Sequence, residues 1–161
     1  MDTPEAASFG GALITTALIG RERELGKIRY ALGRAAGKEF RCVLIEADGG
    51  MGKAVGAFVA KSLRPYDLAA RYGGEEFVIL APDCDLVTAS RRAETIRQAV
   101  ERTCLPSLGN QPVTASFGVT EAQSGDSPES VLARADRALL QAKDGGRNQV
   151  IQLGVGASDD G

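Results

Sequence analysis

The stretch Arg71-Tyr72-Gly73-Gly74-Glu75-Glu76-Phe77 lies where two strand-like runs meet, Leu68 to Tyr72 and Phe77 to Ala81. A glycine pair between such runs predicts a β-hairpin with Gly73 and Gly74 at its tip. Glycine there permits positive φ and, lacking Cβ, lets a phosphate or a base approach the backbone. Glu75 and Glu76 place two carboxylates at the start of the next strand, where they can hold divalent cations. Taken alone, the same four residues also read as a tight turn with solvated charges. The surrounding sequence decides between these readings.

On the N-terminal side, Val55, Phe58, Val59 and Leu63 mark one face of a helix. That helix must stop near Arg64, because Pro65 disfavours a helical residue before it. Asp48-Gly49-Gly50-Met51-Gly52 is a glycine-rich loop, and Phe40 to Ile45 a buried strand. Arg21 to Ala36 reads as a helix through Leu25, Ile28 and Leu32, with Gly37 as its stop. On the C-terminal side, Ala89, Ala93, Ile96 and Val100 form the stripe of a long helix, and Pro112 to Thr120 alternates as a strand. Ser127 and Pro128 suit the N-cap and first position of another helix, lined by Val131, Ala135, Ala138 and Ala142. Gly145-Gly146 ends it and Val150-Ile151 begins a last strand. Strands and helices thus alternate around one antiparallel hairpin, which predicts an α+β domain, a mixed sheet with helices packed around it. The expected organisation is a leader over 1–20, a single domain over 21–154 whose part 21–55 is atypical, and a disordered tail over 155–161.

The 161 residues suffice for one core, and 43% hydrophobic with 25% charged residues is ordinary for a globular protein. A net charge of -2 leaves no electrostatic footprint for nucleic acid. Histidine is absent, which excludes histidine bases, Ser-His-Asp triads and histidine zinc sites. Acid, base and metal-ligand chemistry falls to Asp and Glu, and phosphate binding to Lys and Arg. Cys42, Cys84 and Cys104 show no C-x-x-C spacing and are expected as small apolar residues in a reducing compartment. The apolar run Gly11 to Gly20 is too short to span a bilayer, and acidic Asp2 and Glu5 precede it where a signal peptide carries Lys or Arg. A cytoplasmic protein without membrane insertion is expected.

Three stretches, in order, resemble the GGDEF family of cyclic di-GMP signalling. They are the run from Arg71 to Phe77 in its GGEEF form, Ser116-Phe117-Gly118-Val119, and Ala135 to Lys143 with Gly146-Arg147-Asn148. The third is similar to A-D-x-A-L-Y-x-A-K-x-x-G-R-N, with Leu140 where tyrosine is usual. The likeness runs from about residue 56 to Leu153. It implies a nucleotidyl-cyclase fold, a ferredoxin-like palm, and a diguanylate cyclase activity. Two GTP molecules on facing subunits of a homodimer react, the 3′-hydroxyl of each attacking the α-phosphate of the other, to give cyclic di-GMP and pyrophosphate. By position, Glu75 would bind metal and help activate the hydroxyl, with Glu76 beside it. Gly73 and Gly74 would admit substrate, and Lys143 and Arg147 would face the triphosphate. Mg2+ or Mn2+ would bridge phosphate oxygens. Arg64-Pro65-Tyr66-Asp67, separated from Gly73 by the five residues Leu68 to Tyr72, is similar to the family's R-x-x-D inhibitory site for cyclic di-GMP. The arginine fork suits phosphate and guanine, and Asp67 could accept from a guanine N–H.

The first half departs from that pattern. Glu46 and Asp48 could replace the D-x-D metal pair, but the family's F-K, N-D and G-H elements are missing and the connection is shorter. Ile19 to Leu25, Val43-Leu44-Ile45 and Ala47 to Ala54 resemble instead the opening of a STAND or AAA-type P-loop NTPase. Ala47 replaces the first glycine of that loop and Ala54 the Ser or Thr that holds Mg2+, so a working ATPase is not expected. Two function classes follow: a cyclase using Glu75, Glu46 and Asp48, or a degenerate domain sensing cyclic di-GMP through Arg64 and Asp67, or GTP through the hairpin.

Overall fold

The computed structural model describes residues 7–9, 12–15, 26, 30, 40–71, 73–103, 109 and 112–155. Its elements are β1 (Ala7–Phe9), β2 (Ala12–Thr15), β3 (Phe40–Ala47), α1 (Gly52–Ser62), β4 (Leu68–Arg71), β5 (Glu76–Pro82), α2 (Leu86–Glu101), β6 (Ala115–Ala122), α3 (Pro128–Asp144) and β7 (Val150–Leu153). One sheet orders them β1-β2-β4-β5-β3-β6-β7. The run β3-α1-β4-β5-α2-β6 is a ferredoxin-like βαββαβ unit. Its four strands pair antiparallel, whereas β2 joins β4 and β7 joins β6 in parallel, so the sheet is mixed as expected.

Strand periodicity divides the core. Val43, Ile45, Phe77 and Ile79 point to the face covered by α1 and α2, where they meet Val55, Val59, Ala93, Ile96 and Val100. Cys42, Leu44, Val78 and Leu80 point to the opposite face and meet Val131, Ala135 and Leu139 of α3. Central β3 is buried on both sides, which is why Cys42 to Ile45 read as a continuous apolar run rather than an alternating one. Each large aliphatic side chain so buried contributes about 1.5–3 kcal/mol. Burial also pushes the Cys42 thiol up to about 12, making it a packing residue rather than a nucleophile.

Several boundaries differ from expectation. β4 ends at Arg71, Tyr72 lying outside the described residues, β5 begins one residue early at Glu76 and runs to Pro82, and the strand expected from Pro112 begins at Ala115. Within the stretch expected as a leader, Ala7–Phe9 and Ala12–Thr15 pair with each other and extend the sheet beyond β4. That junction is a backbone matter and leaves little periodic trace in so short a run. Of the expected helix over 21–36, only Gly26 and Tyr30 are described, both helical. Gly37, Cys104 and residues 156–161 lie outside the described residues. Among the described residues, no helix is long and apolar enough to cross a membrane.

Candidate active site

Three segments meet at one end of the sheet: the end of β3, the β4-β5 turn and the C-terminus of α3. The register places Glu46 opposite Glu76 on one side and Ser116 on the other. Like charges on directly opposed residues repel. Lys143 of α3 answers this by donating from Nζ to Glu46 at 2.9 Å. Arg147 donates to Asp48 at 2.9 Å and stands 3.9 Å from Glu46. Asp48 also accepts from the Thr114 hydroxyl at 2.5 Å. Glu46, Asp48, Lys143 and Arg147 therefore form one charge cluster, assembled across nearly a hundred residues of chain.

The hairpin is stitched to this cluster by its backbone. The Ala47 amide donates to the Glu75 carbonyl at 2.8 Å, and the Gly50 amide donates to the Glu75 carboxylate. Neither Gly73 nor Gly74 has positive φ, contrary to the expectation for the tip; that conformation falls on Gly49 and Gly50, in the turn from β3 to α1. The two signature glycines differ in clearance. A Cβ at Gly73 would lie 2.9 Å from the Glu76 carboxylate, while at Gly74 it would meet nothing within 4 Å. Gly74 is thus an open approach to backbone. Gly52 is what holds the turn close: its Cβ would lie 2.7 Å from the Gly74 carbonyl. Arg71 spans the same turn, donating to that carbonyl and covering the Phe77 ring at 5.6 Å.

The last turn of α3 delivers Lys143 and Arg147 together. The Gly146 amide donates to the Lys143 carbonyl at 3.3 Å and the Arg147 amide to the Ala142 carbonyl at 2.9 Å. These are the two bonds of a Schellman cap, with Gly146 at φ +115° in its left-handed position. Arg147 and Asn148 continue at φ +63° and +48°, a conformation that costs roughly 1–2 kcal/mol for a non-glycine residue.

Oxygen donors of this kind suit a hard divalent cation. The carboxylates expected as its ligands are nevertheless not gathered. Among the described residues no three acidic or cysteine side chains stand close enough to hold an ion. The reason is geometric: Glu46 faces Lys143 on the α3 side, Asp48 faces Arg147 and Thr114, and Glu75 turns to the Gly50 amide. Their chemistry fits the metal, with the two cations standing as counter-ions. The glycine-rich turn after β3 belongs to this same end, with Ala47 buried in β3 and the Gly50 amide engaged by Glu75.

Arg64 and Asp67 form a separate cluster at the start of β4. Asp67 is fully buried; it accepts from the Arg64 amide at 2.7 Å and from the Arg64 guanidinium at 3.1 and 3.2 Å. Arg92 of α2 donates to it as well, and to the Ser62 carbonyl at 3.2 Å. Arg92 escaped sequence reading because its contact spans 25 residues and nothing distinguishes it from neighbouring Arg91 on a polar helix face. Tyr66, between the two motif residues, is 81% exposed. Asp136 is exposed on α3, in keeping with a surface role.

The profile described as "Diguanylate cyclase, GGDEF domain" matches residues 53–149. The chain is 45% identical over 91 residues to Diguanylate cyclase VdcA of Vibrio cholerae, an overlap covering 53% of this chain and 26% of that protein. It is 44% identical over 97 residues to Response regulator PleD of Caulobacter vibrioides, covering 58% and 21%. The match thus spans about a quarter or less of these curated relatives. Among solved structures, the GGDEF domain of DgcB from Caulobacter crescentus in complex with c-di-GMP superposes with a TM-score of 0.76 at 26% identity, covering 94% of this chain and 96% of that one. The active GGEEF domain of a diguanylate cyclase from Vibrio cholerae gives 0.73 at 24% identity, over 84% and 97%, a likeness of fold. With the family profile spanning more than half of its length and the signature at the meeting point of three segments, the chain belongs to the GGDEF family of diguanylate cyclase domains.

Proposed function

We propose that the chain is a diguanylate cyclase that joins two GTP molecules into cyclic di-GMP with release of two pyrophosphates. The observation that carries this is the pairing of Lys143 and Arg147 with Glu46 and Asp48 directly beside the Glu75-Glu76 turn. A triphosphate entering over the open Gly74 backbone competes for the same two cations. Their transfer to phosphate oxygens leaves Glu46 and Asp48 unneutralised. With Glu75, these carboxylates would hold Mg2+ or Mn2+, which neutralises triphosphate charge and acidifies a bound hydroxyl. Glu75 and Glu76 would take up the proton of the attacking 3′-hydroxyl, a reading supported by the absence of histidine from the chain. One chain supplies one GTP and one set of acids, so formation of two phosphodiester bonds calls for a homodimer. A GTP-using enzyme of this kind belongs in the cytoplasm.

Incubation with GTP and Mg2+ should yield cyclic di-GMP, and Glu75→Ala should abolish it. Absence of product at high enzyme concentration would refute the reading.

A second reading rests on the other cluster. Arg64 and Arg92 converge on Asp67, a preformed pair of guanidinium groups suited to the phosphates of cyclic di-GMP. In this role the domain binds the dinucleotide as inhibitor or signal. Calorimetry with cyclic di-GMP should show binding that Arg64→Ala removes; unaltered heats in that variant would dismiss it.

A further inference from the structure

We infer that Arg97, on α2, is a positioning residue for Arg147, acting through Asn148; this rests on the reading that Arg147 meets the triphosphate. Arg147 occupies a left-handed backbone position that it would not adopt unsupported. The Schellman cap fixes the chain only as far as its own amide. Beyond it, Asn148 is gripped from two sides. Its amide donates to the hydroxyl of fully buried Ser116 at 3.2 Å, and its side-chain oxygen accepts from Arg97 at 3.0 Å.

Arg97 is suited to act as a fixed post. Its side chain is 14% exposed. Its Nε and one terminal nitrogen donate to Glu94 at 2.8 and 2.6 Å, and the other terminal nitrogen bridges Glu101 and Asn148. Glu94 and Glu101 hold the guanidinium charged, and Arg97 in turn holds both carboxyls below their usual range. The arm toward Asn148 is thereby preset before any ligand arrives. With Asn148 locked in the left-handed region, the preceding residue keeps the orientation that aims its guanidinium at Asp48 and Glu46. Backbone strain at Arg147 is sustained because its neighbour is held on both sides.

A residue serving only the stability of α2 would need Glu94 and Glu101, both one turn away, and nothing more. The contact with Asn148 spans 51 residues and reaches the active end of the sheet.

The test uses the whole chain and a fluorescent GTP analogue with Mg2+. Arg97→Ala and Arg147→Ala should each weaken its binding on the order of tenfold, the worth of one charge-assisted contact to phosphate. The double variant should bind no worse than Arg147→Ala, whereas multiplied losses would show an independent action of Arg97 and overturn the inference. Arg97→Lys keeps a cation for Glu94 but lacks the second arm, so it should retain thermal stability and still lose affinity. Hydrogen exchange supplies a readout free of nucleotide. Arg97→Ala should speed exchange at residues 147 and 148 while the body of α3 stays protected; unchanged exchange there sinks the inference whatever the affinities. Unchanged affinity in Arg147→Ala together with faster exchange in Arg97→Ala refutes the triphosphate role of Arg147, and with it the functional half of the inference, while leaving Arg97 as the support of the turn.

Discussion

Replacing Gly118 by alanine should separate α3 from the sheet and disable the site at a distance. Gly118 sits in the middle of β6 with its missing side chain directed at α3. A Cβ there would lie 2.4 Å from both the Ala135 carbonyl oxygen and the Leu139 nitrogen, and 3.0 Å from the Leu139 Cα. Contacts under 3.0 Å are essentially never made by real Cβ atoms, and the atoms met are helix backbone, which cannot rotate away. Overpacking that side chains can absorb costs about 1–3 kcal/mol, so a rigid 17-residue helix should place the cost at roughly 3 kcal/mol or above. At this chain length 1 kcal/mol moves the melting temperature by about 2–4 °C, so the melt should fall by about 6–12 °C. Any retreat of α3 also stretches the 2.9 Å Lys143-Glu46 and Arg147-Asp48 contacts, so product formation should fall even where the variant is still folded. Circular dichroism melts and a cyclic di-GMP assay at low temperature read the two effects separately. A Gly118→Ala protein melting within about 2 °C of wild type would refute the packing argument, since no compensating burial could offset a clash of that size.

Gly74→Ala is the counterpart. With nothing within 4 Å of the added carbon, its stability in urea should stay within about 0.5 kcal/mol of wild type while nucleotide binding drops. Retained binding would show that the open backbone is not the approach to the site. Asp67→Ala removes the anion between two guanidinium groups and should cost about 3–5 kcal/mol, whereas Arg64→Ala leaves Asp67 paired with Arg92 and should cost distinctly less; equal losses would contradict the shared geometry. Burial alone would raise the Asp126 pKa, but Arg134, the Gln123 amide and the Ser130 hydroxyl outweigh it and hold the carboxyl below its ordinary value. A depressed folded pKa stabilises above the unfolded value of about 3.9 and is lost as pH falls through the folded one. The stability difference between wild type and Asp126→Asn should therefore be constant near neutrality and shrink with acidification below about pH 4. A difference unchanged down to pH 2 would remove Asp126 from that role.

Local chemistry was legible from the chain alone wherever it was written in neighbouring residues. Ser127 as N-cap and Pro128 as first helical residue appear as read, with Ser130 completing a reciprocal cap. The stripes of α2 and α3 are the buried ones, because a 3.6-residue period survives in sequence whatever the partner. The hairpin and its two carboxylates were legible for the same reason. Glycine was read correctly in kind but not in place: positive φ fell on Gly49 and Gly50, while Gly73 lies against the Glu76 carboxylate and Gly74 leaves its backbone open.

What only the tertiary structure decided is which charge meets which. Glu46, Asp48 and Glu75 look alike as candidate metal ligands in the sequence. The sheet register sets Glu46 against Glu76, the end of α3 gives Lys143 and Arg147 to Glu46 and Asp48, and Glu75 turns to Gly50. Arg92 on Asp67 and Arg97 on Asn148 belong to the same class of fact. Coulombic and hydrogen-bonding partners act over a few ångströms of space and carry no periodicity along the chain. The GGEEF signature therefore determined the family, and the packing of α3 across β6 at Gly118 determined how its carboxylates are held.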